Sequence, residues 1–199
     1  MTLIIGIAGR ARVGKDTFAD YLQKYATSER KLNVNIYSFA VAVKQVIGDT
    51  FDISMEMIEK YKITDEPYPE THMTMRKMLQ FVGDGFRKFK DTVWIEKVVR
   101  QIKEDAPDIA IISDVRYKNE ADMIRKNGGV VVLVYREEVS NNDDHPSETA
   151  WLLQEEEYKN CQGFTKVNDG VIDYFVKNTT KEKYYSVIED FLQSMKCIA

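Results

Sequence analysis

"TLIIGIAGRARVGKDT" (residues 2–17) decides the fold. Leu3 to Ala8 is a continuous apolar, β-branched run, as expected of a strand covered on both faces. Gly9 and Gly14 follow, five apart, then Lys15, and from Asp16 to Tyr25 the pattern is helical, with Phe18, Ala19, Leu22 and Ala26 on one side. Strand, glycine loop, Lys and helix in that order meet the physical needs of a phosphate cradle. Glycines permit positive φ, so backbone N–H groups can converge on an anion. The helix presents its N-terminus to it, and the Lys reaches the β- and γ-phosphates. The usual pattern has Ser or Thr directly after the Lys to touch Mg²⁺; here Asp16 stands there and Thr17 comes one residue late. A carboxylate serves that ion as well, because Mg²⁺ prefers oxygen ligands.

Working outward, strands alternate with helices. "VNIYSFA" (34–40), "DIAIISD" (108–114), "VVVLVYR" (130–136) and "VIDYFVKN" (171–178) read as four more strands. "KNEADMIRKNGG" reads as a helix stopped by Gly128 and Gly129. The last helix shows Tyr184, Val187, Ile188, Phe191, Leu192 and Met195 on one stripe, with Thr179 and Glu182 at capping-box spacing before it. Residues 41–105 are mostly helical, interrupted by the turn "TDEPYPE". This predicts an α/β fold around a five-stranded parallel sheet flanked by helices, the first strand central, with ligands at the carboxyl ends of the strands. The expected organisation is a single domain over 1–199, with an insert at about 41–105 and a lid-like, loop-rich segment at about 137–165.

Composition excludes several classes. The chain has 199 residues and a net charge of -4, so nothing pushes it globally toward nucleic acid or anionic membrane. Two cysteines, Cys161 and Cys197, make no disulfide framework and no metal spacing, which suits a reducing cytoplasm. "MTLIIGIAG" lacks the basic start of a signal peptide, and no run reaches the ~20 apolar residues of a membrane span. Charge is uneven, however. Residues 76–103 hold eight basic residues against three acidic ones, while 137–158 hold eight acidic residues and no Lys or Arg. Each is either a solvated face or, more pointedly, a patch for an anionic ligand and a mobile acidic flap.

A second strand end adds to the cradle. "IAIISDVR" finishes with Asp114 and then Arg116. Asp114 is placed to serve a triphosphate's Mg²⁺, and Arg116 to clamp a phosphoryl group; the plainer readings are a turn cap and a surface ion pair. The loop alone does not name a reaction. A guanine-specific switch would carry Asn-Lys-x-Asp and a Gly three residues after Asp114, but the first is absent and the second position holds Tyr117. The insert, with Arg76 and Arg87 in its basic tract, suits an acceptor monophosphate.

The pieces "GRARVGKDT", "FAVAVKQVI", "MRKMLQFVGDGFR" with "DTVWIEKV", "IISDVRYKNEADMIRKNGGVVVLVYR", "NNDDHPSETA" and "DYFVKN", in this order, give the chain a resemblance to the phage deoxynucleoside monophosphate kinases. The Lys-Asp-Thr cradle occurs in that family, and some phosphomevalonate kinases are similar there. One departure is length, chiefly in the insert, and it bears on the acceptor-base pocket. The resemblance implies a P-loop fold and transfer of the γ-phosphoryl of ATP to a deoxynucleoside 5′-monophosphate. It implies that Gly9, Arg10, Ala11, Arg12, Val13, Gly14, Lys15, Asp16 and Thr17 hold the ATP phosphates, with Asn178 near adenine. Asp16, Thr17 and Asp114 would serve Mg²⁺. Lys15 would stabilise the transferring group, with Asp114, Arg116 and Arg136 also catalytic and Arg136 reaching over from the lid. Lys44, Arg76, Arg87, Arg116 and His145 would face the acceptor. For His145 the competing reading is a helix cap, for Trp94 it is core, and Tyr61, Tyr68 and Phe81 stand equally between acceptor-base contact and core. The kinases it resembles are often dimers, so a homodimer is expected, in the cytoplasm of a host for a phage protein. The rival functions are a dephospho-coenzyme A kinase-like or adenylate kinase-like enzyme, and a non-catalytic nucleotide-binding regulator.

Overall fold

The computed structural model describes residues 2–69, 71–139 and 145–195; residues 140–144 of the acidic stretch and Cys197 lie outside the described residues. In chain order the elements are β1 (Leu3–Ala8), α1 (Lys15–Arg30), β2 (Val34–Tyr37), α2 (Phe39–Phe51), α3 (Met55–Lys62), α4 (Met75–Phe89) and α5 (Val93–Asp105). Then follow β3 (Ile109–Val115), α6 (Lys118–Lys126), β4 (Val130–Tyr135), α7 (Pro146–Thr149), α8 (Leu152–Tyr158), β5 (Phe164–Lys166), β6 (Tyr174–Lys177) and α9 (Lys181–Ser194). The chain divides into two units, Met1–Tyr37 with Ile102–Ala199, and Ser38–Gln101.

The first unit is built on one sheet of order β2-β3-β1-β4-β6-β5. β1 is central, as its unbroken apolar run requires: a strand with neighbours on both sides and helices on both faces has no solvent side to fill with polar residues. Its pairs with β3 and β4 are parallel, as are β2 with β3 and β4 with β6. The expectation of five parallel strands needs one correction. A sixth, β5, joins β6 antiparallel at the edge, Phe164 opposite Val176. Three residues are too short to carry an alternation signal, and antiparallel strands need no crossover helix. Ile5 and Ile7 of β1 pack in one cluster with Phe18 and Leu22 of α1 and with Ile188 and Phe191 of α9. α6 packs on β1 and β4 and buries Ala121 and Ile124.

Local signals explain most boundaries. α1 runs to Arg30, where Lys31 adopts a left-handed conformation that closes the helix. The strand expected over 34–40 stops at Tyr37, because Ser38 takes the N-cap place of α2. The capping box expected from Thr179 and Glu182 does not form: Thr180 is the N-cap of α9, without a side-chain cap. The stretch after β4 is also less loop-like than expected, since α7 and α8 lie in it. α8 buries Gln154 and Glu155, so its inward face is polar and shows no apolar periodicity.

The second unit has its own core of Ile47, Ile53, Ile58, Met75 and Met78, against which Tyr61 and Tyr68 pack, their rings edge to face with each other at 5.0 Å. Trp94 of α5 is also buried and its indole N–H donates to the Gly83 carbonyl at 3.1 Å, which favours the core reading for it. Phe81, by contrast, is largely exposed.

Candidate active site

The loop between β1 and α1 is shaped by three residues with positive φ: Gly9 at 134°, Arg12 at 65° and Gly14 at 103°. Two of them can only be glycine. A Cβ on Gly9 would stand 2.4 Å from the Val134 carbonyl oxygen, and one on Gly14 2.5 Å from Asn178 Nδ2. Between them Val13 is fully buried and anchors the loop to the core. The loop is also pinned from behind. Asn178 donates its amide N–H to the Val13 carbonyl at 2.8 Å, and Tyr184 donates its O–H to the Gly14 carbonyl at 2.9 Å. Holding carbonyls from outside leaves the loop's N–H groups for an anion on the inside.

Lys15 opens α1 and folds back into the loop, donating from Nζ to the Arg10 carbonyl at 2.6 Å. Only 7% of it is exposed. Burial pushes its ammonium down from 10.5 to about 7, Arg116 adds to the fall, and Glu148, Asp16 and Asp114 oppose it. That set of neighbours brings Lys15, Asp16, Asp114 and Arg116 together. Parallel pairing of β1 with β3 explains why: Ala8 registers with Val115, so the two strand ends and the residues after them emerge side by side. The turn after β3 is fixed by buried Glu120, which accepts the backbone N–H groups of Arg116 at 2.7 Å and Tyr117 at 3.0 Å.

Two further carboxylates belong to the site and were not foreseen. Glu148 Oε2 accepts the Ala11 N–H at 2.8 Å, and Glu148 Oε1 accepts from the Arg116 guanidinium at 2.5 Å. Glu155 Oε2 lies 2.8 Å from Arg10 Nε, a close charge contact without hydrogen-bond alignment. Burial raises the Glu155 carboxyl above its ordinary value, against the pull of Arg10 and Lys15. Their signal in the sequence was the run of acids after β4, but a charge run does not say which member turns inward.

A profile of the deoxynucleotide monophosphate kinase family matches residues 53–179. A protein of Acanthamoeba polyphaga mimivirus provisionally named a deoxynucleotide monophosphate kinase is 30% identical over 203 residues, spanning 94% of this chain and 94% of that one. The chain belongs to the deoxynucleotide monophosphate kinase family. The deoxynucleoside-5′-monophosphate kinase of Escherichia phage T5 is 34% identical over 83 residues, 37% of this chain and 33% of its own length. Among solved structures, TT1252 from Thermus thermophilus superposes with a TM-score of 0.54 at 14% identity over 97% of each chain, a likeness of fold.

Within this family member most of the other expected residues have partners of their own. Arg12 is exposed at the loop tip, and Asp16 and Thr17 are exposed in the first turn of α1. Asn178 is buried behind the loop, its amide committed to Val13. Arg136 pairs with Glu138 at 3.0 Å. His145 is the N-cap of α7, its Nδ1 2.8 Å from Ser147 Oγ. In the second unit Lys44 pairs with Glu59 at 2.5 Å and Arg87 with Asp84 at 3.3 Å. Arg76 and Arg87 both lie on α4, about three turns apart and so on one face.

The charges of Asp16 and Asp114 both act on Lys15, so each is within electrostatic reach of it; among the described residues no three His, Cys, Asp or Glu side chains gather as a metal site. Mg²⁺ is usually held by one or two carboxylates together with substrate phosphates.

Proposed function

We propose that this chain transfers the γ-phosphoryl group of ATP to a deoxynucleoside 5′-monophosphate, yielding the diphosphate and ADP. One observation supports the reading above all: a glycine loop pinned from behind, with buried Lys15 and half-buried Arg116 beside it, in a chain of this kinase family. The amides from Gly9 to Lys15 bind the donor's phosphates, and the N-terminus of α1 adds its partial positive charge. Lys15 and Arg116 neutralise charge on the transferring phosphoryl, the main demand of such a transfer. Asp16, Thr17 and Asp114 would hold Mg²⁺, which supplies charge neutralisation between the phosphates when bound. A monophosphate oxygen is already a nucleophile, so no side chain need act as general base; alignment carries the step. Lys44, Arg76 and Arg87 are the proposed acceptor contacts of the second unit, and His145 and Arg136 the proposed contacts from the segment after β4. A homodimer in the cytoplasm, a host's for a phage protein, belongs to the same reading.

The test is ADP release with ATP and Mg²⁺ across the deoxy- and ribonucleoside monophosphates, with dephospho-coenzyme A as a control. Turnover with at least one deoxynucleoside monophosphate, and not with dephospho-coenzyme A, is expected. Tight ATP binding with negligible ADP from every monophosphate would point to a regulator instead.

A further inference from the structure

We infer that Glu148 is an internal stand-in for a phosphoryl group, seated in the cradle, and that an entering phosphate must exchange with it. The inference rests on the phosphate-binding reading of the loop and goes beyond it. Glu148 is 3% exposed although it is charged, so its burial needs strong partners. Among its partners are the Ala11 amide of the loop on one oxygen and the Arg116 guanidinium, from the end of β3, on the other. A phosphate group presents oxygens to the same donors, and one N–H cannot serve both acceptors at full strength. Glu155 makes a second contact of the same kind, carboxylate against Arg10.

Together the two carboxylates balance a cluster that would otherwise hold Arg10, Lys15 and Arg116 close to one another. They do so imperfectly. Glu155 Oε1, Gln154 Oε1 and the Trp151 indole N–H are buried without a hydrogen-bond partner among the described residues. A segment tied down by two ion pairs, yet carrying three orphaned polar atoms, is held loosely enough to be traded for a ligand. Affinity for nucleotide is then lowered by the share of molecules in which Glu148 fills the cradle. A contact present in about nine molecules in ten lowers apparent affinity about tenfold.

Calorimetry with Mg-ATP and with pyrophosphate, on the wild type and on Glu148→Gln, tests this. The variant, its fold checked by circular dichroism, is expected to bind both ligands about tenfold more tightly. Equal or weaker binding by a folded variant overturns the inference, since Glu148 would then be neutral or a contact to the ligand. No heat with either protein overturns the phosphate-binding reading itself. A second measurement needs no substitution: a structure of the wild type with pyrophosphate bound. Glu148 withdrawn from the Ala11 amide supports the exchange; Glu148 still bonded to Ala11 beside the bound pyrophosphate refutes it.

Discussion

Lys15 is a cation placed where water cannot easily reach it, and this has a measurable consequence. Its ammonium loses a proton near pH 7 in the folded chain and near 10.5 in the unfolded one. Across that window the unfolded chain binds the extra proton, so this residue's contribution to stability rises with pH. Ligand binding runs the other way. A bound triphosphate favours the charged form, so Mg-ATP affinity is expected to be highest below pH 7 and to fall as pH climbs above it. Binding at pH 8 should therefore take up close to one proton, read from calorimetry in buffers of different ionisation enthalpy. Uptake near zero would mean that Lys15 is already charged in the free protein. The cluster around Lys15 was legible in the sequence because it follows from short spacings: Gly9, Gly14 and Lys15 along one loop, Asp114 and Arg116 along one strand end. Glu148 and Glu155 were not legible. They meet Ala11 and Arg10 across more than a hundred residues of chain, and no local pattern marks an acid that turns inward.

At the scale of elements, the end of β6 and α9 hold the loop from behind, through Asn178 just after the strand and Tyr184 in the helix. Tyr184 packs its ring near Phe18, at 6.1 Å between centroids, so Tyr184→Phe keeps the packing and removes only the hydrogen bond to Gly14. The variant should lose about 1 kcal/mol of stability and show a several-fold higher KM for ATP with kcat less affected. An unchanged KM would mean that the loop keeps its shape unaided. In the second unit, Trp94→Phe removes the indole N–H that donates to the Gly83 carbonyl inside α4. A cost of about 1 kcal/mol for the lost hydrogen bond, seen as a lower thermal midpoint, is expected. The long apolar strands and the amphipathic α9 could be foreseen from periodicity alone. β5 was missed because three residues carry no period, and α8 because its buried face is Gln154 and Glu155 rather than an apolar stripe.

For the whole molecule, the sheet order places β1 between β3 and β4, and parallel pairing delivers the cradle, Asp114 and Arg116 to one end of the sheet. The α/β fold was readable because each parallel strand is either a buried apolar run or closely bounded by a helix signal. The sequence predicts a single domain with an insert at about 41–105; the second unit, Ser38–Gln101, covers most of that helical stretch. The central claim is a transfer of phosphoryl from one nucleotide to another, and following the phosphorus tests it most directly. ATP labelled in the γ-phosphate should be incubated with the protein, Mg²⁺ and each deoxynucleoside monophosphate, and the label located. The account predicts label in the β-phosphate of a deoxynucleoside diphosphate, abolished in a folded Lys15→Met variant. Label that stays in ATP or appears only as inorganic phosphate, with every acceptor, would contradict it.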